Sequence, residues 1–293
     1  MEIKQSKQFI TLTELYDFEL QHIFECGQCF RFYSDKPDCY TIVAFGKALR
    51  IIKVGEGIFR FYTTLEEFEQ LWFDYFDFSR DYAALKQELA RQDPVMEQAA
   101  KFGHGIRILK QDLWETIVSF IVSSSNNVPR IQKILEALCK TYGDKFSYMG
   151  NVYYSFPSPK RLAALTLPEL ACIRAGYRDK YILDAAKKIE NGTVSLEELK
   201  HAPSDQAQKL LLQINGIGPK VANCILLFGL GRTDAFPVDV WIKRTMEYFY
   251  FDGKQQGIPA ISEFAQEHFG SLGGFAQQYL FFLARTKNLR TKG

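Results

Sequence analysis

Four short stretches near the start of the chain, residues 29–33, 40–45, 48–54 and 58–62, alternate apolar and polar side chains with a period of two. Lys36-Pro37-Asp38, Phe45-Gly46-Lys47 and Gly55-Glu56-Gly57 separate them, and residues of these types turn a chain back tightly. The pattern predicts an antiparallel meander. From Leu65 onward the period lengthens to that of helices. Ile131, Ile134, Leu135, Leu138 and Tyr142 fall on one helical face, and Leu183, Ala186 and Ile189 follow similar spacing. No internal repeat or low-complexity stretch is evident. The chain therefore reads as an α+β fold. An antiparallel sheet domain with flanking helices is expected over residues 1–100, and a mostly helical domain over residues 101–293.

The densest chemistry lies in residues 210–244. An apolar helix end runs into the turn Gly216-Ile217-Gly218, and a second helix opens at Pro219. Glycines permit positive φ and leave amides uncovered, and proline suits a first helical position, where its missing N–H would have had no partner. The free amides of Gly216, Gly218 and Val221, with the helix dipole, suit one phosphate. Many helix pairs are joined by glycine, so the turn alone also fits a plain connection. Lys220 lies in the first turn of the second helix beside Val221, Ile225 and Phe236. A lysine nucleophile needs surroundings that disfavour its ammonium form, and a helix start among apolar residues does so. A surface lysine touching a phosphate is the alternative. Asp239 follows nineteen residues after Lys220 and precedes Val240-Trp241-Ile242, which makes it an N-cap. A carboxylate held there is also suited to stabilising positive charge that develops on a sugar.

Composition changes the picture in one respect. Net charge is only +2, yet residues 1–100 carry 11 Lys/Arg against 17 Asp/Glu, and the remainder 25 against 17. The basic part contains the turn, and its end adds Arg285, Lys287, Arg290 and Lys292 without an acid. Such asymmetry favours a polyanionic partner for the C-terminal part. No apolar run reaches membrane-spanning length and Met1-Glu2-Ile3-Lys4-Gln5 does not open a secretory signal, so a cytoplasmic monomer is expected, nucleoid-associated if bacterial. The six cysteines, Cys26, Cys29, Cys39, Cys139, Cys172 and Cys224, are then reduced thiols. Cys26-x-x-Cys29 has no second pair or nearby histidines to complete a zinc site, and no metal or cofactor is expected.

The turn with its trailing aspartate resembles the helix-hairpin-helix DNA glycosylases. Within them the chain is similar to the 8-oxoguanine DNA glycosylase/AP lyases. The resemblance extends to Cys26-Gly27-Gln28-Cys29-Phe30-Arg31, to residues 105–112, to Ser123-Ser124-Ser125-Asn126-Asn127-Val128-Pro129-Arg130, to Gly176-Tyr177-Arg178, and to residues 274–281, in family order. It implies a TBP-like N-terminal sheet domain, a helical helix-hairpin-helix glycosylase region, and a duplex DNA partner containing 8-oxoguanine. It also implies roles. Lys220 is the nucleophile that forms an imine with the sugar, and Asp239 stabilises the oxocarbenium-like state. The Gly27 carbonyl accepts the N7–H that distinguishes the lesion from guanine. Cys224 and Phe281 sandwich the extruded base, and Gln277 reads its Watson–Crick edge. Tyr177 wedges into the vacated step, while Arg130 and Arg178 read the orphaned cytosine, with Ser125 and Asn127 on the same loop. From pattern alone, Phe281 and Cys224 read as core.

Two positions depart from the family. Ser125 stands where its best-known members carry a third asparagine, which bears on preference for cytosine. Trp241 stands where eukaryotic members place a phosphate-contacting histidine. No cysteine follows Cys224, which removes the iron–sulfur loop of the endonuclease III and adenine-glycosylase branches. An alkylpurine glycosylase shares the fold and the aspartate but not the lysine. A non-catalytic helix-hairpin-helix module would need neither.

Overall fold

A computed structural model of the chain describes residues 1–287. Arg290 and Lys292 of the basic end lie outside them. Six antiparallel strands form one sheet in the order β1-β2-β6-β5-β4-β3. They are β1 (Glu2–Gln5), β2 (Ile10–Thr13), β3 (Phe32–Lys36), β4 (Cys39–Ala44), β5 (Lys47–Gly55) and β6 (Ile58–Phe61). The meander from β3 to β6 turns where the alternation predicts, through Asp38, Gly46 and Gly57, all at positive φ.

Three features differ from the sequence reading. β1 and β2 precede the meander, and β2 pairs with β6 through long-range contacts that no local period reveals. β1 is exposed throughout, so it carries no alternating apolar face. Cys29, Phe30 and Arg31 lie ahead of β3 rather than in a strand. Gly27 at φ +83 and the buried Gln28 interrupt the extended chain here, and the Arg31 carbonyl accepts the Val43 N–H at 3.0 Å. Among the described residues beyond Leu65 the regular elements are helices except for a hairpin, β7 (Lys145–Tyr148) and β8 (Asn151–Tyr154), too short to register as a change of period. Its Tyr148 hydroxyl accepts the Arg50 N–H at 2.9 Å and donates to the Tyr62 carbonyl at 2.6 Å, which ties the hairpin to the sheet.

Two apolar cores result. One lies on the sheet, with Phe18, Phe59, Phe61, Trp72 and Phe76 fully buried. The other is helical and includes Leu85, Leu89, Met96 and Ala99 from the helices Tyr82–Gln92 and Pro94–Phe102. Ile131, Ile134, Leu135 and Leu138 are buried together on the helix Val128–Tyr142, as their spacing predicts. Cys26 and Phe30 join the helical core while Cys29 joins the sheet core, so this loop crosses between them. No helix among the described residues is long and apolar enough to cross a membrane.

Arg31 closes the junction. Its Nη1 lies 3.4 Å from Glu115 Oε2, and Nη2 donates to the Tyr154 carbonyl. Only 15% of the Glu115 side chain reaches solvent, and burial pushes its carboxyl up to about 7 despite the guanidinium beside it. A carboxyl raised on folding stabilises most fully below its unfolded pKa, and that contribution is lost as pH rises through the folded value. Urea unfolding should therefore show the chain losing on the order of 1–3 kcal/mol between pH 5 and pH 8 relative to Glu115→Gln. The opposite slope would mean that Arg31 keeps the carboxylate ionised.

Candidate active site

Helix Ser204–Leu211 leads into the turn, and helix Pro219–Leu230 leaves it. Gly216 sits at φ +88, and a Cβ there would lie 2.5 Å from the Tyr181 ring, so both conformation and space require glycine. Gly218 is extended, with open space where its Cβ would point, and no side chain caps the helix that follows. The first-turn amides thus remain open at a helix start. Behind them the helix is buried from Cys224 to Phe228, with Phe228 stacked on Phe120 of helix Leu113–Ser123 at 5.4 Å between centroids.

Lys220 extends from this helix with Nζ 5.7 Å from the Phe120 ring centroid, and stands beside Cys224 and Asp239. Burial pushes the Cys224 thiol up, and the Lys220 charge works against it. Asp239 caps helix Val240–Tyr250 by accepting the Ile242 N–H at 2.8 Å. Burial raises its carboxyl above the usual range, opposed by that bond and by Lys220. Capping and facing the lysine are therefore compatible in one side chain.

Lys220 and Asp239 stand where two spaces meet. On one side is a pocket of about 50 Å³, lined also by Gly27, Cys224, Gln277 and Phe281. It has room for a water or two, not for a purine. On the other side a groove of about 1150 Å³ passes Ser125, Gly216, Gly218 and Val221, with Trp241 in its wall. Gln277 donates to the Pro237 carbonyl at 3.2 Å and accepts from Gln278 at 2.8 Å, so its amide is already engaged.

Of the second cluster Ser125 lines this groove, and Asn127, Arg130, Tyr177 and Arg178 are not among its lining residues. Ser125 is exposed at φ +49, and Asn127 caps helix Val128–Tyr142 by accepting the Arg130 N–H at 3.1 Å. Arg130 is exposed, and Tyr177 is 51% exposed. Arg178 differs from Arg130: it is buried and donates to the carbonyls of Ser124, Ser125 and Ala175, stacked 4.3 Å from the Tyr177 ring centroid. In this arrangement it holds the turn and presents no free face to a base. Sequence reasoning missed Phe120, Tyr181 and Gln278, which shape the lysine site, the turn and the Gln277 amide. Each reads as ordinary core or surface in its own helix, and only packing brings them here.

Residues 118–269 match the family described as HhH-GPD superfamily base excision DNA repair protein. Residues 10–117 match the N-terminal domain of 8-oxoguanine DNA glycosylase. The chain belongs to the 8-oxoguanine DNA glycosylase family of that superfamily. The structure of the Clostridium acetobutylicum 8-oxoguanine glycosylase/lyase, in complex with double-stranded DNA containing cytosine opposite 8-oxoguanine, is similar with a TM-score of 0.94 and 39% identity. That match covers 99% of each chain. A probable N-glycosylase/DNA lyase of Methanothermobacter thermautotrophicus is 30% identical over 68% of this chain and 69% of its own length. A DNA-3-methyladenine glycosylase of Bacillus subtilis is 30% identical over 78% of this chain and 81% of its own.

The two turn glycines should respond differently to alanine. Gly216→Ala is expected to destabilise by about 1–3 kcal/mol, since it meets both strain and the Tyr181 ring. Gly218→Ala should leave thermal unfolding nearly unchanged but weaken duplex binding, because its methyl projects into open space at the uncapped helix start. Equal effects of the two on unfolding and on a gel-shift titration would refute this division.

Proposed function

We propose that this chain excises 8-oxoguanine from duplex DNA and then cleaves the abasic strand. The observation that carries the reading is the placement of Lys220 and Asp239 between a groove of about 1150 Å³ and a small pocket lined by Gly27, Cys224, Gln277 and Phe281. A buried glycosidic carbon is reached by extruding its nucleotide from the stack. The phosphate beside it then rests on the amides at Gly216, Gly218 and Val221, and the base enters between Cys224 and Phe281. Lys220 attacks C1′ and the base departs, while the Asp239 carboxylate offsets the positive charge on the sugar. The resulting imine to the opened sugar acidifies C2′; loss of that proton expels the 3′ phosphate by β-elimination.

Discrimination rests on one atom. N7 of guanine is a lone pair and N7 of the lesion is a donor, so the Gly27 carbonyl accepts from the lesion and faces a lone pair in guanine, at a cost of about 1–3 kcal/mol. Gln277 reads the Watson–Crick edge after its present bonds rearrange. Across the duplex, Tyr177 fills the vacated step. Arg130, Ser125 and Asn127 face the orphaned base directly, and Arg178 supports their loop or reaches the base by leaving its carbonyls. An imine-forming lysine favours this reading over a base-only alkylpurine glycosylase.

Three outcomes test it. Borohydride should trap a covalent adduct on duplexes containing 8-oxoguanine, and Lys220→Gln should abolish trapping and strand cleavage while duplex binding persists; base release without an adduct would indicate a monofunctional enzyme. The acid limb of the pH–rate profile should lie above the ordinary aspartate range, following the raised Asp239 carboxyl, and should vanish in Asp239→Asn. Ser125→Asn should fold normally, because asparagine tolerates the positive φ of this position, and should sharpen preference for cytosine opposite the lesion. An unchanged opposite-base profile would remove Ser125 from that role.

A further inference from the structure

Phe281 occupies part of the space a base would need: its Cε1 lies 3.4 Å from the point where a Cβ on Gly27 would project. Admitting a purine moves this ring away, while the Gly27 backbone must keep its direction if its carbonyl is to read the base. Gly27 has no side chain to stiffen it and sits at φ +83. One side of the loop is anchored by the fully buried Gln28. Its amide donates to the carbonyls of Ile23 and Arg107 at 2.8 Å, and its Oε1 accepts the Leu109 N–H at 2.9 Å. The other side is met by Arg285, one helical turn beyond Phe281 on helix Gly273–Thr286. Its Nη1 donates to the Glu25 carbonyl at 3.3 Å and lies 3.8 Å from the same Gly27 point.

We propose that Arg285 is a positioning residue for base discrimination: its bond to the Glu25 carbonyl holds the loop so that the Gly27 carbonyl stays aimed while Phe281 withdraws. The role rests on the pocket reading above. Phe281 and Arg285 share a helix, so the base-contacting ring rotates on a backbone whose next turn already grips the reading loop. A substrate without a base does not call on this grip. Arg285→Ala should therefore lower kcat/KM for 8-oxoguanine release about tenfold, the effect of losing one charged hydrogen bond. Cleavage of a preformed abasic site should stay within about twofold, which also reports that the variant is folded. Arg285→Lys should recover part of the loss, because an ammonium still reaches a single carbonyl. Parallel losses on both substrates, or no loss on either, would overturn the role. If the unsubstituted chain fails to release 8-oxoguanine, the functional reading falls, and this role with it.

Discussion

The open amides of the glycine turn and the Lys220 side chain hang from a helix whose body is buried and whose start is open. Helix Pro219–Leu230 packs against helix Leu113–Ser123 so closely that a Cβ at Gly229 would stand 3.1–3.2 Å from Leu113 and Thr116. The stack of Phe120 on Phe228 locks the same contact. This packing fixes where the first turn points, and hence the direction of the free amides and of Lys220. An amine at a helix start that is free to fray would have no defined reach; one on a buried helix does.

The pocket next to that helix is assembled from segments that are remote in sequence. Gly27 comes from the loop ahead of β3, Cys224 from the buried helix, Asp239 from the next helix start, and Gln277 and Phe281 from helix Gly273–Thr286. Such a site is only as well defined as the contacts between its parts. Buried polar groups supply them. Gln28 satisfies its amide on three backbone partners, and Arg107 donates to the carbonyls of Phe76, Asp77 and Asp17 while stacking 4.1 Å from the Tyr82 ring centroid. Groups of this kind are costly unless fully bonded, so they specify one arrangement of sheet and helices.

The charge distribution acts at longer range. The excess acid lies in residues 1–100 and the excess base in the part that carries the turn and the groove. A polyanion is therefore drawn towards the helical side.

Much of the site was legible in the chain. A glycine pair before proline, a lysine in the next turn and a capping aspartate are local features whose physics does not depend on the fold, and the structure places Gly218, Lys220 and Asp239 in those positions. The meander and the helical faces were legible for the same reason, since periods of two and 3.6 are properties of neighbouring residues. Tertiary structure alone decided what depends on contact. It paired β2 with β6, set the hairpin at Lys145–Tyr154 against the sheet, and turned Arg178 inward onto the Ser124 and Ser125 carbonyls. It also closed Phe281 over Gly27 and put Arg285 on the Glu25 carbonyl, 260 residues away in sequence. No period or spacing encodes such meetings, because they are selected by which surfaces pack together after the local elements have formed.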